Sequence, residues 1–224
     1  MDQLGIHSLG NCRSGYGRTA RHNFVAVALR QTALIASGIP SRREETGLLP
    51  NAEDRPGDIY ITSEAGCTES TYKSAAIDVT VRGGVPDGGK SSHLLITSCK
   101  TPAAVAHDAE KSKVSAFSRR EQEVALVLKT DKGIDWKRDF QFRPFGMDVF
   151  GAIGPEAQKA VTQFSKLRAS RFNQSAGSCR RKILQAINVA LISTNVKMLS
   201  CRRPQLSVDV DAPAAELLGQ SSPS

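Results

Sequence analysis

AIDVTV, residues 76–81, is the stretch on which the fold turns: five of its six residues suit a buried strand, and the other is Asp78. Alanine aside, the apolar set is β-branched, the composition that fits a pleated, half-buried surface. A carboxylate in that setting is costly unless something compensates it. About twenty positions earlier, RPGDIY (55–60) puts Asp58 at the start of a second short strand, just after a turn.

Ile77 and Val79 flank Asp78 and point to the opposite face of their strand. If the two strands are neighbours, both acids reach one edge of the sheet. Carboxylates that close raise each other's pKa, so a stable arrangement requires a cation, either a divalent metal or a basic side chain. Taken singly, Asp58 also reads as a turn or cap residue and Asp78 as an ion-paired strand residue.

Outward from this pair the elements alternate. Asn23 is placed to cap a helix over FVAVALRQTALIASG, with Gly38 and Pro40 as its stop signals. A polar, turn-rich stretch, SRREETGLLPNAEDRPG, leads into the strand DIYIT, and AAIDVTVR (75–82) follows as the clearest strand. Thr101 and Pro102 open a helix over PAAVAHDAEKSKVSAFSRR. EVALVLKT (123–130) has the composition of a buried strand, and DFQFRPFGMDVFG reads as extended chain ending at a glycine. Helices are expected from Pro155 to about Arg168 and from Arg180 to Arg203, with a loose tail after Pro204. The fold class is α/β, a mixed central sheet flanked by helices, with no internal repeat.

With 224 residues and 40% hydrophobic content, the chain can bury a core without disulfide staples. Its five cysteines are odd in number and scattered, which favours reduced thiols. No run of eighteen apolar residues and no basic-then-apolar leader occur, so the expectation is an intracellular protein, nuclear or cytoplasmic, neither secreted nor membrane-bound. The formal charge of +8 favours an anionic partner, most simply DNA or RNA. Between Ala157 and Val208 there are ten basic residues and no acidic one. Such a one-sign block is either a solvated helical surface or a phosphate-contacting one, and Arg168, Arg171, Arg180, Arg181 and Lys182 are its candidates.

Phosphodiester cleavage adds a further requirement. A carboxylate-held magnesium ion polarises water while a nearby ammonium orients it and offsets developing charge. Lys111 and Lys113, in AEKSKVSAF, are available on the helix after the strand.

RHN (21–23), REETGLL (43–49), RPGDI (55–59), AIDVTV (76–81), AEKSKVSAF (109–117), FRPFGMDVFGAIGPEA (142–157) and ILQAINVALISTNVKML (183–199) form an ordered series. The series resembles the region downstream of the polymerase in eukaryotic non-LTR-type reverse transcriptases and related retroelement proteins. That region is a restriction-endonuclease-like domain of the PD-(D/E)xK type. The resemblance implies a magnesium-dependent DNA endonuclease with Asp58 and Asp78 as metal ligands. It implies that Lys113, followed by Phe117, is the catalytic lysine moved from strand to helix, since Thr80 occupies the ordinary strand position. It also implies a helix-proximal acid at Glu44 or Glu45, with Glu45 counted among the catalytic candidates, and an upstream polymerase domain as a partner. His7 and Cys12 resemble the second half of that family's zinc knuckle, so zinc would require a cysteine pair supplied from upstream. The organisation expected is a partial knuckle over 1–20, an endonuclease-like core over 21–170, a basic helical segment over 171–204 and a disordered tail over 205–224.

Two other functions are open. One is a nucleic-acid-binding remnant that retains the basic helices and has lost the metal site. The other is a nucleotide hydrolase, because GVPDGGKS (84–91) satisfies the phosphate-loop pattern through Gly84, Gly89, Lys90 and Ser91, with Asp131 as a second acid. His22 reads as a hydrogen-bonded structural histidine, Asp148 as a turn acid, and Trp136, Phe140, Phe142, Phe145 and Phe150 as packing residues.

Overall fold

Ser74–Arg82 forms the central strand, β3, of a four-stranded open sheet. The computed structural model describes residues 15–44, 55, 57–61, 74–83, 101, 103–128 and 140–200. Strands β1 (Ser41–Arg43), β2 (Ile59–Ile61) and β4 (Phe140–Asp148) complete the sheet in the order β1-β2-β3-β4. The pairs β1–β2 and β2–β3 are antiparallel, whereas β3 and β4 run parallel. The protein is thus α/β with a mixed sheet. β4 lies at an edge, and this is why it tolerates Pro144, which has no N–H to give to a second neighbour.

Side-chain alternation divides the sheet into two unlike faces. Ala75, Ile77 and Val79 of β3 join Ile59, Ile61, Phe145 and Met147 in the apolar core. Burying each large side chain of this kind contributes roughly 1.5–3 kcal/mol. The period of two sends Ala76, Asp78 and Thr80 to the other face.

Three helices close the apolar face. Helix α1, Gly15–Leu29, contributes Val25, Ala26 and Leu29, then loosens into a π turn over Arg30–Leu34 and a 3-10 turn over Ile35–Ser37. Gly38 ends it with φ +70°, its N–H donating to Ile35 O at 2.8 Å. Two further helices follow β4. The second helix of the chain, α2 (Ala104–Leu128), lies on the opposite face against β3 and β4. α3, Pro155–Phe172, starts with proline in its first turn and stops at Asn173 in the left-handed region. α4, Ala176–Ser200, buries Cys179, Ile183, Ile187, Leu191 and Met198 along one line and packs on α1 and α3. By length and composition α4 is able to cross a membrane. Its outward side carries Val189, Ile192, Val196 and Leu199.

The approach of α2 to the sheet is unusually close at Gly146. A Cβ there would meet Ala106 O at 2.3 Å and the Glu110 side chain at 2.6 Å. Glu110 itself is 2% exposed and accepts N–H bonds from Gly146, Glu156 and Ala157. A carboxylate on α2 therefore caps the N-terminus of α3, where orphan N–H groups and the helix dipole favour negative charge.

Several elements differ from expectation. EVALVLKT is not a strand in its described part: α2 continues through Leu128, consistent with the good helix formers Glu, Ala and Leu within it. Asn23 lies inside α1, eight residues past its start at Gly15, and caps nothing. Ser41–Arg43 is an edge strand in a stretch that reads as polar turn, held by backbone pairing to β2. α1 spans the expected boundary at residues 20–21, and α3 spans that at 170–171. Asp148 does act as a turn acid, accepting the N–H groups of Phe150 and Ala152 at 2.9 Å each.

Candidate active site

β2 and β3 are adjacent and antiparallel, and their register sets Asp58, one residue before β2, beside Asp78. Asp58 N–H donates to Ile77 O at 2.9 Å, so the backbone fixes its position although it is outside the strand. The two carboxyls lie close enough for each to affect the protonation of the other.

Lys113 reaches Asp78 from α2, with Nζ 2.9 Å from Oδ1. Helix geometry explains the aim. Ala106, Glu110, Lys113 and Phe117 recur at spacings of three and four and so share one face of α2. Glu110 and Gly146 lock that face to β4, and Phe117 stacks on Phe142 with ring centroids 4.2 Å apart. A cavity of about 210 Å3 lies between these elements, lined by Arg55, Asp58, Asp78, Lys113, Phe117 and Phe142.

Asp58 has a partner of its own on α1. His22 Nε2, from α1, sits 2.9 Å from Asp58 Oδ2, and Val79 N–H donates to the same oxygen at 2.7 Å. His22 Nδ1 lies 3.2 Å from Asn23 Oδ1. The Asp58 hydrogen bond raises the imidazole pKa above its ordinary value, against the opposing effect of burial. Burial by itself would raise Asp58, but bonds from His22 and Val79 outweigh it and hold this carboxyl below the usual range. Asp78 moves the other way: burial raises it, Asp58 adds to the rise, and Lys113 opposes it.

These contacts bear on a metal. The N–H donors fall on Asp58 Oδ2 and Asp78 Oδ1. Two hard oxygen donors side by side suit magnesium, which takes one or two carboxylates and completes its shell with water and substrate oxygens. Among the described residues no group of three or more His, Cys, Asp or Glu is arranged to hold a metal ion. Among the described residues the pair supplies two carboxylates at the cavity, within the one or two that magnesium takes from a protein.

The remaining sequence candidates are distributed as follows. Glu45, His7, Cys12, the phosphate-loop residues 84–91 and Asp131 lie outside the described residues. Glu44 is described: its N–H donates to Asp58 O at 3.0 Å, while its carboxylate pairs with Arg55 at 2.9 Å and Arg43 at 3.3 Å. Arg168 Nη1 donates to Thr32 O at 2.8 Å and Arg171 Nη1 to Ser37 O at 3.3 Å, so both tie α3 to carbonyls at the end of the α1 segment. Arg180, Arg181 and Lys182 are exposed at the start of α4.

Two residues that matter here escaped the sequence reading. His22 was legible only as a structural histidine, because nothing in a linear pattern links it to an acid 36 positions away. Glu110 lies three residues before Lys113, and the close glycines of FGMDVFGAIG were its only signal. No protein-family model matches the chain, and no curated protein matches it.

Proposed function

We propose that this chain is a magnesium-dependent, restriction-endonuclease-like domain that cleaves DNA, of the kind it resembles downstream of retroelement polymerases. The observation that supports this reading is the meeting of Asp58, Asp78 and Lys113 at one cavity, one acid from the residue before β2, one from β3 and one ammonium from the next helix. A four-stranded mixed sheet with helices on both faces is compatible with that fold.

In this reading Asp58 and Asp78 hold the ion. Magnesium, when bound, supplies Lewis-acid polarisation of a phosphodiester and of the attacking water. Lys113 keeps one N–H on Asp78 and has two more donors for a water or a phosphate oxygen. Its charge faces the negative charge that develops at phosphorus. The Phe117–Phe142 stack walls one side of the cavity against solvent. Arg180, Arg181 and Lys182 supply exposed cations for the DNA backbone. The role that follows from the resemblance is nicking of target DNA ahead of reverse transcription, inside the cell and beside an upstream polymerase.

A non-catalytic nucleic-acid-binding domain is the second reading. It is favoured by the ion pairs His22–Asp58 and Lys113–Asp78, which balance both carboxylates without a metal. Supercoiled plasmid in magnesium or manganese separates the two. Relaxed circles with wild type and none with Asp58→Asn or Lys113→Ala support the nuclease. Intact plasmid with every protein, together with salt-sensitive binding, overturns it.

A further inference from the structure

We propose that His22 is a positioning residue for the metal centre, one that turns the Asp58 carboxyl so that Oδ1 is presented to the ion. The inference rests on the nuclease reading of the Asp58–Asp78 pair.

The geometry is specific to one oxygen. His22 Nε2 and Val79 N–H both converge on Asp58 Oδ2, at 2.9 and 2.7 Å. Two donors on one oxygen restrain the plane of the carboxyl, and neither of them occupies Oδ1. Donors behind a ligating carboxylate hold its orientation and increase metal affinity, and their loss typically costs about 10–100-fold. The imidazole is itself held. Asn23 Oδ1 lies 3.2 Å from Nδ1, and α1 is pinned beneath it by Arg21 Nη1, which donates to Asn195 Oδ1 of α4 at 3.2 Å. Asn195 Nδ2 in turn donates to Val149 O at 2.8 Å, just past β4. These bonds tie the helix that carries His22 to α4 and to the segment just past β4.

The competing role for His22 is that of a counter-ion, and it has the opposite sign. A cation beside Asp58 competes with the metal, so its removal would tighten binding. A positioning donor aids the metal, so its removal weakens binding.

The test is manganese(II) binding to the full chain, read by the EPR signal of the free ion. Folding of each variant is checked by circular dichroism. His22→Ala is expected to raise the dissociation constant about 10–100-fold, and His22→Gln, which retains a side-chain N–H of similar reach, to recover most of the loss. Unchanged or tighter binding by a folded His22→Ala protein overturns the proposal, as does a glutamine variant no better than alanine. Should the alanine variant not fold, the wild-type imidazole nitrogens answer by NMR: magnesium is expected to shift the His22 Nε2 resonance, and Asp58→Asn to abolish that shift. A protein that binds magnesium without moving that resonance overturns the inference. Manganese binding that is absent, or indifferent to Asp58→Asn and Asp78→Asn, sinks the metal-centre reading itself and the proposal with it.

Discussion

Lys113 Nζ stands 2.9 Å from Asp78 Oδ1, across 35 positions of sequence and between a helix and a strand. The contact exists because Glu110, one turn earlier, is clamped between Gly146 and the first N–H groups of α3. Replacing Lys113 by methionine keeps most of the stem and removes the ammonium. Plasmid nicking in single turnover is expected to fall about 10²–10³-fold, the usual cost of losing one charge-stabilising donor, with the circular dichroism spectrum unchanged.

Chelation gives the matching result from the metal side. EDTA is expected to abolish nicking and added magnesium to restore it. Asp58→Asn and Asp78→Asn are each expected to remove most of the heat of manganese binding in a calorimetric titration, because in the proposed site each supplies one of two carboxylate ligands.

Glu110 carries a pH dependence with a definite sign. Burial raises its carboxyl above the ordinary value, although three backbone N–H groups pull it down. The folded state then binds the proton more tightly than the unfolded one, so stability from this group is fully present below the unfolded pKa and fades as pH rises through the folded one. Glu110→Gln turns an amide N–H toward a backbone N–H and is expected to cost about 1–3 kcal/mol. Urea melts should show wild type gaining on Glu110→Gln as pH is lowered from 8 toward 5.

Gly146→Ala tests the seat of α2. The added methyl meets backbone at Ala106, which cannot rotate away. Overpacking of this kind costs about 1–3 kcal/mol, and a fall in Tm together with loss of nicking is the expected outcome.

The basic surface divides into two classes. Substituting Arg180, Arg181 and Lys182 together by alanine is expected to flatten the log Kd against log salt slope for duplex DNA by up to about 2.7, at about 0.9 per phosphate contact. Arg168→Ala is expected to lower Tm instead, because that guanidinium holds Thr32 O. A fluorescence anisotropy series in salt, beside thermal melts, distinguishes them.

What the sequence made legible was local or periodic. The alternation of AIDVTV placed Asp78 on the face away from Ile77 and Val79, and the turn before DIY placed Asp58 at the neighbouring strand. Lys113 came from resemblance to a family, since a helical lysine has no linear signature of its target. EVALVLKT misled because a short apolar run without turn signals suits a strand or a helix equally. The Ser41–Arg43 strand escaped because backbone pairing alone makes it. His22 and Glu110 escaped because their partners are set by packing between elements, and spacing carries no information about that.

The parallel β3–β4 ladder, whose rungs begin at Ser74 and Phe140, has one more implication. Asp58, Asp78, Lys113 and Phe117 all precede β4 in the chain, yet the platform that seats α2 over the carboxylates is Phe142 and Gly146. Pairings between such distant segments close late in folding. A growing polypeptide on the ribosome therefore holds every reactive side chain before it holds the means to bring them together. Whatever chemistry the cluster performs is withheld from the nascent chain until β4 has emerged and docked.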